Sequence, residues 1–229
     1  MELAVVIPTL NEEQSIGACV ESVGAMDGID IVVVDGGSCD RTTERARMVG
    51  ARVVESSPGR GPQLNVGANS TAADRLLFLH ADCLLPEGWL PAVSHALDDE
   101  EVSLACFRLR TISSAMSEPS WLYRWSLRFF DLRSYGLGLP YGDQGFSIRR
   151  DIFNRVGRFP EIPLMEDVAF AHACRREGTL RRLSLEILTT ARRVERRPLR
   201  TGLMLAIFPT LYRLGVAPQT LARWYGSAR

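Results

Sequence analysis

Four short polar stretches hold the residues whose types and spacing could do chemistry. Pro8, Thr9, Leu10, Asn11 and Glu12 follow the apolar run LAVVI, and Asp35, Gly36, Gly37, Ser38, Cys39 and Asp40 follow IVVV. Both carry polar groups suited to a nucleotide; in the second, an acidic side chain accepts hydrogen bonds while paired glycines let the backbone approach a flat base or ribose. A turn followed by a helix cap, with Asp40 as the cap, explains Gly37, Ser38 and Asp40 equally well, whereas Asp35 is not needed by such a turn and favours a ligand. His80, Ala81 and Asp82 run straight out of RLLFL. A lone carboxylate there suits a hard divalent cation, Mg2+ or Mn2+, whose shell is completed by diphosphate oxygens and water. Loop closure or helix capping is the alternative for Asp82, and His80 reads as a hydrogen-bonded neighbour. Finally, Glu166 and Asp167 open the stretch MEDVAFAHACRREG. Acidic groups in a first helical turn are stabilising by about 0.3–1 kcal/mol through the helix dipole, which accounts for one of the pair. Adjacent carboxylates face different directions, so the other can project into a cleft and take a proton. His172 is expected to pack against the helix's neighbours.

A scaffold must gather these stretches, and the pattern supplies one. Short β-branched runs at Leu3–Ile7, Ile31–Val34, Arg52–Glu55 and Arg75–Leu79 alternate with helical patterns near Glu12–Ala25, Asp40–Val49 and Gly61–Ala72. That alternation predicts an α/β fold with a parallel sheet, covering helices, and ligands at the carboxyl ends of the strands. After Leu85 a smaller second layer is expected: a helix at Trp89–Asp98, a strand at Ser103–Leu109, aromatics on a helical period over Trp121–Leu132, a short strand at Phe146–Ile148, helices from Asp151 and over Glu166–Glu177, and a helical region from about Leu199. We read one domain, 1–229, with a nucleotide-binding half (1–85), an acceptor and catalytic half (86–190) and a basic helical tail (191–229).

Composition narrows the chemistry. With 27 basic against 27 acidic residues the chain lacks the cationic field of a nucleic-acid binder. All the basic residues are arginine, which removes Schiff-base chemistry, pyridoxal phosphate enzymes and the phosphate-loop lysine. Five scattered cysteines without a CxxC pair argue against structural zinc, iron–sulfur clusters and a disulfide framework, and for reduced thiols in the cytoplasm. The N-terminus lacks a positive leader, and the longest uncharged apolar stretch, Thr201–Tyr212, is too short to span a bilayer. Residues 190–229 carry eight arginines and one glutamate. This tail, with Leu203, Phe208, Trp224 and Tyr225, and the segment Trp121–Phe130, with Arg124 and Arg128, are read as a packed helical subdomain or a homodimer face. Peripheral contact with an anionic membrane surface is the weaker alternative.

In this order and spacing, VIPTLNEE, VVVDGGSCD, GRGPQLNVGA, FLHAD, GFSIRRDIFNRVGRFPE and MEDVAFAHACRREG resemble the family 2 glycosyltransferases of the GT-A fold, from Leu3 to about Gly178. The length and the YGDQG segment at Tyr141–Gly145 resemble the small bacterial transferase 2 subgroup, associated with radical SAM and selenium-domain proteins or with arsenosugar synthesis. The resemblance implies a Rossmann-like, mostly parallel central sheet flanked by helices, with a C-terminal helical region. It implies an inverting, metal-dependent hexosyltransferase that moves a sugar from a nucleotide diphosphate donor, commonly UDP-linked, to an acceptor hydroxyl. Pro8, Thr9, Asn11 and Glu12 match the first nucleotide-binding loop, Asp35 the carboxylate that reads the base beside Gly37, and Arg60 a basic position near the nucleotide. Asp82 matches the last residue of an Asp-x-Asp metal motif whose first position is His80 here, and Asp167 matches the catalytic base. Asp143 and Gln144, with His80 and Glu166, would then line the donor-sugar or acceptor pocket, although a turn accounts for Asp143 equally well. The Gln-x-x-Arg-Trp extension of processive synthases is missing, with Gln219 and Arg223–Trp224 only a loose echo of it. Two rival readings remain: nucleotidyl transfer to a sugar phosphate, which would want a glycine- and lysine-rich phosphate loop, and a non-catalytic nucleotide-sugar binder.

Overall fold

The computed structural model describes residues 2–112, 139–190 and 198–226. Strands β1 (Leu3–Thr9), β2 (Ile29–Asp35), β3 (Arg52–Glu55), β4 (Arg75–Phe78), β5 (Cys83–Leu84), β6 (Val102–Ile112), β7 (Phe146–Arg149) and β8 (Thr179–Thr190) form one sheet in the order β3-β2-β1-β4-β7-β6-β8-β5. The helices among the described residues are α1 (Ile16–Val23), α2 (Thr42–Met48), α3 (Arg60–Asn69), α4 (Trp89–Asp98), α5 (Arg150–Arg155), α6 (Glu166–Glu177), α7 (Pro198–Arg213) and α8 (Pro218–Tyr225), with a 3-10 turn at Gly142–Gln144.

Strands β1 to β4 are parallel to one another, β7 enters antiparallel to both β4 and β6, and β8 runs parallel to β6. The period of two decides which core each side chain joins. Leu3, Val5 and Ile7 pack with α1 and α4 on one face, while Ala4 and Val6 pack with α3, α5 and α6 on the other. A strand covered on both faces must be apolar throughout, which is why LAVVI and IVVV read as unbroken runs. Each such Val, Leu or Ile contributes roughly 1.5–3 kcal/mol by leaving water. Helix α3 lies so close to the sheet that a Cβ at Gly67 would collide with Val6 and Val34.

Two expectations change here, and one strand is new. Among the described residues, the segment after Leu85 adds β6, β7 and β8 to the first sheet instead of a second layer. Strand β8 escapes a hydrophobic reading because TLRRLSLEILTT carries two arginines and a glutamate on a half-exposed ribbon. His172 is exposed on α6 rather than packed. The helical expectation for Trp121–Leu132 lies outside the described residues. The C-terminal region is helical, with the Phe208 and Tyr225 rings 6.3 Å apart, and no helix among the described residues is long and apolar enough to cross a membrane.

Candidate active site

The parallel register sets Thr9 opposite Asp35, so the loops leaving β1 and β2 rise side by side from one sheet edge. Pro8 causes no gap in the ladder, because β4 pairs with β1 only as far as Val6. Asn11 holds a left-handed backbone (φ 55), a conformation that asparagine tolerates better than most residues. Its N–H donates to Ser38 Oγ at 2.9 Å and its Oδ1 accepts the Cys39 N–H at 2.9 Å, locking the first loop to the second. Glu12 is buried: its N–H donates to Thr42 Oγ1 at 2.8 Å, its carboxylate accepts the Ser15 hydroxyl, and its carbonyl accepts Ile16 N–H, so it starts α1.

Asp35 departs from expectation. One carboxylate oxygen accepts the N–H groups of Gly37 at 3.1 Å and Ser38 at 2.9 Å, and the other accepts the Ser38 and Thr9 hydroxyls. The turn therefore does need Asp35, whose charge is spent largely on shaping the loop. Gly37 is exposed at φ 94, where a side chain would be strained. Asp40 accepts Thr42 N–H at 3.0 Å and Glu13 N–H at 3.2 Å; the N-cap itself is Arg41, so Asp40 serves the first helical N–H from the position before the cap rather than as the cap.

Helix α3 brings Arg60 to α6. Asn65 on α3 both donates to Phe159 O (2.9 Å) and accepts from Phe159 N–H (3.1 Å), fastening the helix to the loop before α6. Met165 then takes a left-handed backbone (φ 70), costing roughly 1–3 kcal/mol, and turns the chain sharply into Glu166 and Asp167. Arg60 Nη1 donates to Glu166 Oε1 at 3.0 Å. Glu166 is 2% exposed, so it faces the protein and not a pocket, correcting its placement in the donor or acceptor pocket. Burial pushes its carboxyl above the ordinary range, offset only in part by Arg60. For Arg60, removal from water works against the charge, yet the carboxylates of Glu166, Asp167 and Asp82 outweigh it and hold the guanidinium protonated.

Asp167 is half-buried and points elsewhere. Its Oδ1 accepts the Val168 N–H at 2.8 Å, and its Oδ2 accepts the Gly142 N–H at 2.9 Å. A Cβ added at Gly142 would lie 3.0 Å from His80 Nε2 and 3.4 Å from Asp167 Oδ2, so this glycine is the meeting point of the His80 and Asp167 side chains. Half-buried Asp82 closes the turn begun at His80, whose carbonyl accepts Cys83 N–H at 3.0 Å. Behind it, the Cys83 thiol lies 3.8 Å from Asp82 Oδ1 and 3.5 Å from the Asp143 carbonyl, and burial followed by the Asp82 charge holds that thiol protonated. The structure thus brings Arg60, His80, Asp82, Asp143 and Asp167 together. It turns Gln144 away: 1% exposed, that side chain accepts Tyr141 N–H at 2.9 Å and donates to Phe107 O at 3.0 Å, which makes it the staple of the 3-10 turn and not a pocket wall.

Sequence reasoning passed over Gly142 and Gln63. Gln63, on α3 and 5% exposed, donates through Nε2 to Thr9 O and Val34 O, both at 2.8 Å. The available signal was a long amide among the small and apolar residues of GRGPQLNVGA.

Among the described residues, no three His, Cys, Asp or Glu side chains gather to hold a metal ion. Asp82, partly buried, supplies one hard oxygen, which does not close a coordination shell but fits a cation whose remaining ligands are diphosphate oxygens and water.

Residues 4–157 match the sequence family described as glycosyl transferase family 2. The chain belongs to this family. Over 101 residues it is 41% identical to a dolichyl-phosphate hexose transferase of Haloferax volcanii, a match covering 43% of this chain and 44% of that protein. Over 97 residues it is 33% identical to the glucosyl-3-phosphoglycerate synthase of Mycolicibacterium smegmatis, covering 37% of this chain and 32% of that protein. The chain thus matches less than half the length of these curated relatives. Among solved structures it is similar to Mycobacterium tuberculosis glucosyl-3-phosphoglycerate synthase in complex with Mn2+, UDP and phosphoglyceric acid (TM-score 0.64, 22% identity, 94% of this chain and 79% of that one). It is also similar to S. aureus TarS 1-349 in complex with UDP-GlcNAc (TM-score 0.64, 18% identity, 83% and 58%). These likenesses are of fold: a curled, mostly parallel sheet flanked by helices, the GT-A arrangement.

Proposed function

We propose that this family 2 member is an inverting hexosyltransferase that moves a sugar from a UDP-type donor to an acceptor hydroxyl. The observation that carries the reading is the convergence of Asp167 and Asp82 on the surroundings of Arg60 and Gly142, beside the paired loops of β1 and β2. Gly142 and Val168 N–H groups fix the Asp167 carboxylate while leaving it lone pairs for a substrate proton. As the acceptor oxygen attacks the anomeric carbon, its proton passes to Asp167, and the bond to the diphosphate oxygen breaks with its electron pair leaving on the diphosphate. Attack opposite that leaving group inverts the centre. Arg60, anchored by Glu166, places positive charge beside the diphosphate. Asp82 would hold Mg2+ or Mn2+ against the same diphosphate, and such a cation, when bound, stabilises the leaving charge. Pro8, Asn11 and Gly37 lie on the loops that would receive the nucleoside, with Thr9, Glu12 and Asp35 shaping those loops from beneath, and His80 and Asp143 would face the sugar. The Mn2+ and UDP of the mycobacterial synthase complex support the donor class and the metal.

As part of the same reading, the chain belongs to the small transferase 2 subgroup and works in the cytoplasm, and its basic tail packs as a helical subdomain or dimer face. Incubating the purified protein with a panel of nucleotide sugars, Mn2+ and no acceptor tests the reaction class. Slow release of nucleoside diphosphate is expected. Pyrophosphate release would instead indicate nucleotidyl transfer, and no release with any donor would indicate a binding protein. Anomeric NMR of a transferred product from an α-linked donor is expected to give the β-glycoside.

A further inference from the structure

The buried amide of Gln63 stands where the two nucleotide loops are rooted. Its Nε2 reaches Thr9 O and Val34 O at 2.8 Å each, and two carbonyl partners require the nitrogen on that side of the amide. Neither carbonyl depends on it: Thr9 O already accepts Gly36 N–H at 2.9 Å, and Val34 stands in the parallel β1–β2 ladder, in register with Pro8. Satisfying the backbone therefore does not explain why a polar group is buried here at a desolvation cost. Neighbouring Leu64 and Ala68 show that this face of α3 packs apolar side chains readily.

What the amide does fix is position. Thr9 and Val34 are the last steps before the loops carrying Asn11, Gly36 and Gly37, and Arg60 sits one turn earlier on the same helix. Gly36 closes against the amide, since a Cβ there would lie 3.1 Å from Nε2 and 3.3 Å from Oε1. Asn65, half a turn further on, fastens the same helix to the loop leading to Glu166 and Asp167.

We propose that Gln63 is a positioning residue for the nucleotide: it pins α3 to the ends of β1 and β2 so that both loops and Arg60 meet the nucleoside diphosphate in one geometry. This rests on the donor-binding reading above. Displacements near 1 Å at such sites can cost on the order of 100-fold.

The test is Gln63→Met, which keeps volume and removes both donors, with isothermal titration by UDP plus Mn2+ and steady-state kinetics on the full chain. The expected result is an affinity for UDP and a donor KM each weakened about tenfold, with kcat within about threefold, because the lost contacts serve binding before reaction. A folded variant that binds UDP as the unaltered protein does, even with a lowered Tm, overturns the proposal and leaves the transferase reading standing. Failure of the unaltered protein to bind UDP, GDP, ADP or dTDP overturns both. Should Gln63→Met not fold, Gly36→Ala, which presses a methyl group onto the same amide, takes its place with the same expected loss of affinity. Failure of both to fold overturns the proposal in favour of a staple for stability alone.

Discussion

Arg60 and Glu166, 106 residues apart in the chain, are joined by a 3.0 Å hydrogen-bonded ion pair whose carboxylate is almost wholly out of water. The pair links the start of α3, which packs against β1 and β2, to the start of α6, which carries Asp167. It holds the guanidinium in place through a carboxylate that is itself out of water.

This pairing has a pH signature. Burial raises the Glu166 carboxyl above its unfolded value, so the folded protein binds that proton more tightly than the unfolded chain. Stability from this group is therefore full below the ordinary glutamate range and falls as pH climbs through the raised value. Glu166→Gln should flatten that part of the Tm–pH curve, because the amide keeps an acceptor oxygen for Arg60 but does not titrate. Thermal denaturation between pH 4 and 8 checks this; curves that run parallel would show that Glu166 does not titrate with folding.

Asp167→Asn preserves shape and one acceptor oxygen while removing the base. Turnover should fall roughly 100-fold or more with the affinity for UDP intact. Single-turnover kinetics alongside UDP titration separates the two, and near-normal turnover would take Asp167 out of the reaction.

Asp82→Ala should abolish the difference between UDP affinities measured with and without Mn2+. Calorimetry in the two conditions decides the point, and a difference that survives in the variant would move the cation elsewhere.

Gly142→Ala places a methyl group 3.0 Å from His80 Nε2 and 3.3 Å from Asp167 Cβ. The collision should shift Asp167 and lower kcat at least tenfold while UDP affinity stays within threefold. Unaltered kcat would mean that the site relaxes around the methyl group without consequence.

The sequence by itself determined what depends on neighbours along the chain. LAVVI and IVVV announce strands buried on both faces, and the polar residues after them must lie at the carboxyl edge because a strand's end is a local property. The ordered motifs were enough to place the chain in its family. Local pattern also carried the start of α6, where two acidic residues meet a helix dipole.

Only the tertiary structure decided which polar side chains face a cleft and which face the protein. Asp35 and Gln144 look available as letters, yet one is spent on its own turn and the other on Tyr141 and Phe107. Strand β8 exists because β6 offers it a partner, not because TLRRLSLEILTT alternates cleanly. The division between Glu166 and Asp167 was likewise set from outside the helix, by Arg60 on α3 and Gly142 in the 3-10 turn. Hydrogen bonds and burial between distant segments depend on how the sheet closes, and spacing along a chain does not encode that closure in any single residue.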